Sequence, residues 1–161
     1  MTYRLACEAA DIFAAVAVSA GTMANVDPTA TPPSEAYPCA PSRPVSVLHV
    51  HGLMDQCVEF DGGQTSVSGV ALPSVPSTLN IWRTANQCGA GTSVREGTVQ
   101  RQSWSCLSET SVELVTVAGL GHAWAGASIY PTQNMCGGQV TDLVSSTAEL
   151  WRFFQAHPRR M

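Results

Sequence analysis

The chain has 161 residues, enough for one domain whose core buries roughly two-thirds of the unfolded surface. Hydrophobic residues make up 45% and charged residues only 12%, about half the usual charged share, so Ser, Thr, Gly and Gln must carry the surface. All 8 basic residues are arginines, and with 12 acids the net charge is -4, which leaves no basic face for a phosphate backbone and excludes nucleic acid as an expected partner.

In chain order, residues 3–13 place Leu5, Ala6, Ala9, Ala10 and Phe13 on one side of a 3.6-residue period, with Arg4, Glu8 and Asp11 opposite. This is the pattern of an amphipathic helix. Residues 14–18 follow as a short apolar strand closed by Ser19, Ala20 and Gly21. The segment 22–44 is rich in Pro, Thr, Ser and Ala, has no period, and reads as a long irregular loop. Residues 45–51 (VSVLHVH) are apolar and β-branched enough for a strand buried on both faces, as parallel strands are. After a loop over 52–69, residues 75–86 predict a helix with Pro76 in its first turn and Leu79, Trp82 and Ala85 facing inward. Residues 98–106 and 111–117 read as two strands around a turn, the second leading into the loop that carries His122. A last helix is expected over 141–155, with Leu143, Val144, Thr147, Leu150, Trp151 and Phe154 on one stripe. The order predicts one α/β domain over 1–161, with a small, mostly parallel sheet flanked by helices.

Six cysteines suit three disulfides in an exported protein, with 15 connectivities open, and the absence of C-x-x-C argues against a zinc ribbon or redox motif. The N-terminus does not read as a signal peptide, because Glu8 and Asp11 stand where a positive region should precede the apolar run 13–20. That run is also too short to span a membrane, so no membrane partner is expected. A secreted composition without a leader is what a truncated reading frame would produce.

Open parallel sheets carry their reactive groups just beyond the carboxyl ends of the strands. Asp55 and His122 each follow an expected strand by a few residues. An acid that fixes a histidine tautomer and a histidine that takes a proton from a hydroxyl form the base half of a catalytic triad, and here they occur in the α/β-hydrolase order, acid then histidine. Their ordinary alternatives are a turn-capping aspartate and a structural histidine. Ser19, ending the first strand at the same edge of the sheet, is the best-placed hydroxyl for a nucleophile, although most serines at such positions merely cap a turn. Ser128 lies near His122 in sequence. Trp124 either lines an acyl or aromatic pocket or packs its loop.

Several stretches together carry a resemblance: YRLAC at 3–7, the strand and loop over 45–55, FDGG at 60–63, Trp82 with Asn86 and Cys88, and GHAWAG at 121–126. On these, the chain resembles the secreted polyhydroxybutyrate depolymerase and feruloyl/acetylxylan esterase family of α/β-hydrolases. The resemblance implies Asp55 as triad acid, His122 as base, and a Cys88–Cys106 disulfide. Cys7 with Cys39 and Cys57 with Cys136 complete the expected set. In that family a nucleophile turn of G-x-S-x-G-G type stands just before the helix matching 3–13, and the oxyanion-hole loop lies further upstream. This sequence contains neither, so the expected fold is a truncated α/β-hydrolase half-fold. The expected activity is weak or altered hydrolysis of short-chain or activated carboxylic esters, with a catalytically inactive remnant as the alternative. His49 and His51, an H-x-H pair pointing to one face of a strand, could join Asp55 and His122 as metal ligands. The resemblance already accounts for that stretch, so no metal or other cofactor is expected. A sheet cut at its middle leaves the strand over 14–18 with an open edge, and a homo-oligomer joined along it is expected.

Overall fold

In a computed structural model, which describes residues 1–23, 39–65, 71–127 and 136–159, the apolar run around His49 lies in the interior of the sheet. This strand, β2 (Ser46–Gly52), is buried at every position, and it is flanked by parallel strands on both sides. β1 (Ala15–Ser19) runs beside it on one edge and β7 (Ser111–Val117) on the other. Beyond β7 come β6 (Val99–Ser105) and β5 (Gly91–Glu96), giving a 5-stranded sheet in the order β1-β2-β7-β6-β5.

The sheet is therefore mixed, not mostly parallel as the sequence suggested. β1–β2 and β2–β7 pair parallel, whereas β7–β6 and β6–β5 pair antiparallel. Connection length decides this. A parallel crossover needs roughly a dozen residues, and only 97–98 and 106–110 separate β5 from β6 and β6 from β7. β5 itself was not expected: its sequence GTSVRE is polar and exposed throughout, so it lacks the period-2 signal of a half-buried strand.

Helices cover both faces. α1 (Thr2–Glu8) and α2 (Val75–Ala85) pack over Val16, Val18, Val47, Val112 and Leu114, and α3 (Ser146–Ala156) packs Phe153 over Leu48, Val50, Val115 and Val117. Strand alternation explains the division, since odd-numbered β2 residues face α1 and α2 while even-numbered ones face α3. His49 and His51 accordingly point to the α1 side, where Tyr3 stacks near His49.

Boundaries shift where the chain finds other hydrogen bonds. α1 ends at Glu8, short of the expected residue 13, because Ile12 and Phe13 donate back to the Ala9 carbonyl and turn the chain toward β1. α3 starts at Ser146, not near 141: Ser145 is its N-cap, accepting from the Ala148 N–H, while the Thr141 carbonyl is used by the Gly126 N–H. α2 begins behind its N-cap Ser74, with Pro76 in the first turn. At its far end, buried Asn86 holds β2's approach with two bonds, accepting the Val45 N–H at 3.2 Å and donating to the Val45 carbonyl at 2.7 Å. The expected loop over 52–69 contains β3 (Gly63–Gln64), paired antiparallel with β4 (Ala71–Leu72). Most of the expected 22–44 loop, residues 24–38, lies outside the described residues.

The disulfides are Cys7–Cys39, Cys57–Cys136 and Cys88–Cys106. β1 is the terminal strand, and among the described residues no strand pairs with its outer edge. No helix among them is long and apolar enough to cross a membrane.

Candidate active site

Asp55 and His122 leave the sheet from neighbouring parallel strands, at the same end. β2 stops at Gly52 and β7 at Val117, and the two loops are laced together immediately beyond. The Leu53 N–H donates to the Val117 carbonyl and the Met54 N–H to the Leu120 carbonyl, both at 3.0 Å. Gly52 permits this approach, since a Cβ there would lie 2.1 Å from the Leu120 oxygen. The next residue but two along is Asp55, which the lacing delivers beside His122.

A third segment closes the arrangement. The Gln56 N–H donates to the Cys136 carbonyl at 2.7 Å, and the Cys57–Cys136 disulfide joins the same two strips of chain. Gln139 exchanges bonds with the other loop, its N–H donating to the Gly119 carbonyl and its carbonyl accepting from the Gly121 N–H. Gly138, at φ +66°, sits so tightly on Gly121 that a side chain would collide with its backbone nitrogen at 2.3 Å.

The resulting contact is a 2.8 Å hydrogen bond from His122 Nδ1 to Asp55 Oδ2. Asp55 is buried, and its other oxygen accepts the Cys57 N–H at 2.9 Å and the Val58 N–H at 2.8 Å. Burial alone would raise the Asp55 pKa, but the bonds from His122, Val58 and Cys57 outweigh it and hold the carboxyl below its ordinary value. The bond to Asp55 raises the His122 pKa against a smaller opposing effect of burial. An ionised carboxylate only accepts, so Nδ1 carries the proton and the lone pair of the neutral ring sits on Nε2. With 37% of its side chain exposed, His122 can be reached from solvent.

The remaining candidates are placed less closely. Ser19 ends β1 at the same end of the sheet, in register with Val50, with β2 standing between it and the strand that leads to His122. Trp124 is half-exposed, and its Nε1–H donates to Thr147 Oγ1 at 3.0 Å, which ties the His122 loop to the first turn of α3. Ser128 lies outside the described residues. His49 and His51 do share a face, but their facing nitrogens are bonded to each other at 2.9 Å, and no cluster suited to a metal ion occurs among the described residues. A cavity of about 320 Å³ lined by Ile12, Arg43, Ser46, Glu109, His157 and Arg159 lies at the opposite, amino-terminal end of β1 and β2, away from the pair.

Sequence reasoning did not anticipate the role of Val58 or of Gly138. The signal for the first was present, since an aspartate commonly caps the N–H groups two and three residues ahead of it. No protein-family model matches the chain, and no curated protein matches its sequence.

Proposed function

We propose that the chain is a carboxylic ester hydrolase domain in which His122 is the general base and Asp55 its orienting acid, on part of an α/β-hydrolase-type fold. The observation that carries the reading is the 2.8 Å bond from His122 Nδ1–H to a buried carboxylate whose second oxygen is held by two backbone N–H groups. That arrangement fixes the tautomer, leaves Nε2 to accept a hydroxyl proton, and stabilises the imidazolium that forms. The substrates are short-chain or activated esters, and Trp124 lies close enough in the chain to His122 to line the acyl side. Ser19 is the candidate nucleophile: it attacks the ester carbonyl as Nε2 takes its proton, the acyl–oxygen bond breaks as Nε2 returns that proton to the leaving alcohol, and water then releases the acid from Ser19 by the same route.

The second reading is a folded domain without catalysis, favoured by the place of Ser19 on β1, which β2 separates from the strand that leads to His122. Fluorophosphonate treatment followed by intact mass and peptide mapping separates the two. An adduct on one serine that disappears in His122→Ala, together with hydrolysis of an activated acetate ester, supports the esterase. No adduct and no hydrolysis supports the non-catalytic domain.

A further inference from the structure

Behind the Asp55 loop stand three buried titratable side chains that the proposed chemistry does not use: Tyr3 on α1, and His49 and His51 on β2. They form one row. The Tyr3 hydroxyl bonds His49 Nδ1, His49 Nε2 lies 2.9 Å from His51 Nδ1, and His51 Nε2 lies 2.8 Å from the Val58 carbonyl oxygen. The two imidazoles stack at 5.2 Å between centroids and 21° between planes, and the edge of Phe60 closes the far side of His51.

The last acceptor sets the direction of the whole row. A carbonyl oxygen cannot donate, so His51 carries its proton on Nε2. His51 Nδ1 then accepts, which requires the proton of His49 on Nε2, and His49 Nδ1 in turn accepts from the Tyr3 O–H. Burial lowers the pKa of both histidines and raises that of Tyr3, so each ring stays neutral and each has one proton to place. Only one arrangement of protons satisfies every nitrogen.

The row ends on the residue that holds the acid. Val58 gives its N–H to Asp55 Oδ1 and its carbonyl oxygen to His51, so both of its backbone groups are committed. His51 Nε2 also lies 3.6 Å from Asp55 Oδ2, the oxygen that receives His122.

We infer that His51 is the positioning residue of the Asp55–His122 pair, setting the carboxylate through Val58, with His49 and Tyr3 holding His51 in the one tautomer that can do so. The catalytic consequence rests on the esterase reading, whereas the positioning does not.

Two measurements test it. In the wild-type protein, long-range proton–nitrogen NMR correlations report which nitrogen of each ring is protonated. Nε2–H is expected at both His49 and His51, and an Nδ1–H tautomer at His51 overturns the inference. The His122 titration is then followed in the wild type, His51→Asn, His51→Gln and Tyr3→Phe. The Asn amide falls short of the Nε2 position, and the Gln amide reaches it. The His122 midpoint is expected to fall toward the ordinary value of 6.5 in His51→Asn, to return in His51→Gln, and to fall by less in Tyr3→Phe. Should His51→Asn fail to fold, the Tyr3→Phe titration decides, and an unmoved midpoint in either folded variant overturns the inference. With an activated acetate ester, kcat should drop about 10- to 100-fold in His51→Asn with KM little changed. A moved midpoint in a protein that hydrolyses nothing supports the positioning and rejects the esterase.

Discussion

Asp55 divides its two carboxylate oxygens between different partners: Oδ1 takes the N–H groups of Cys57 and Val58, and Oδ2 takes His122 Nδ1–H. The division makes the consequence of Asp55→Asn specific. Two backbone donors demand an acceptor at the Oδ1 position, so the amide oxygen goes there and the NH₂ faces His122. Nδ1 must then accept, and the ring proton moves to Nε2, where the base is needed. Ester hydrolysis is expected to fall by about 10³- to 10⁴-fold, with the tautomer change visible by NMR. An Asn variant that retains Nδ1–H would contradict this account of the site.

For the proposed ester hydrolysis, the same bond sets the pH dependence. Hydrolysis needs neutral His122, and its pKa is raised by Asp55. kcat/KM should therefore increase with pH along a limb whose midpoint lies above the ordinary histidine value of 6.5. A limb centred at or below that value would place the essential base elsewhere.

How much of this was written in the sequence differs from element to element. The run around His49 declared a doubly buried strand, and β2 is one, because Val45 and Val47 point apolar side chains to one face and Leu48 and Val50 to the other, so both faces need cover. Asp55 and His122 were legible for a related reason: each stands a few residues past such a strand, where parallel sheets gather their loops. The contact between them was not readable, since it depends on Gly52 lying against Leu120 and on the strip 136–139 clamping both loops. β5 was missed because a polar, exposed hairpin arm carries no hydrophobic period. The H-x-H pair illustrates the limit best. Alternation put both rings on one face, but their partner Tyr3 lies 46 residues away, and only the packing of α1 on the sheet brings it there.

Stability should decline on mild acidification. His49 and His51 have folded-state pKa values below the unfolded value of 6.5, so as the pH falls past that point the unfolded rings bind protons that the folded rings refuse. Each costs up to about 1.4 kcal/mol per pH unit until its depressed folded value is reached. His122 acts elsewhere: its raised pKa gives a contribution complete below 6.5 and lost as the pH rises through the raised value. Asp55 contributes above 3.8, and that contribution is lost only as the pH falls through its lowered folded value. Between about pH 6.5 and 5 the two buried rings therefore dominate. Urea unfolding at about pH 7, 6 and 5 should show a steadily lower midpoint, and a constant one would mean that the rings are not held neutral.

Two of the three disulfides should separate into one that serves the site and one that does not. Thiol counting should find none free before reduction and 6 after it. Cys57–Cys136 ties the residue after Gln56 to the strip that clamps the His122 loop, and it closes 79 residues of chain, the longest of the three separations. Cys88–Cys106 closes 18 residues at the amino-terminal end of β7, the end opposite His122. Replacing either pair by serine should cost about 2–4 kcal/mol of stability, somewhat more for the longer loop. Loss of the first should also lower the His122 titration midpoint, because Asp55 would lose a fixed Cys57 N–H as well as its anchored loop. Loss of the second should leave that midpoint in place. If both double variants, compared while folded, shift His122 equally, the Cys57–Cys136 bridge has no particular hold on the acid, and the clamp at 136–139 works through its hydrogen bonds alone.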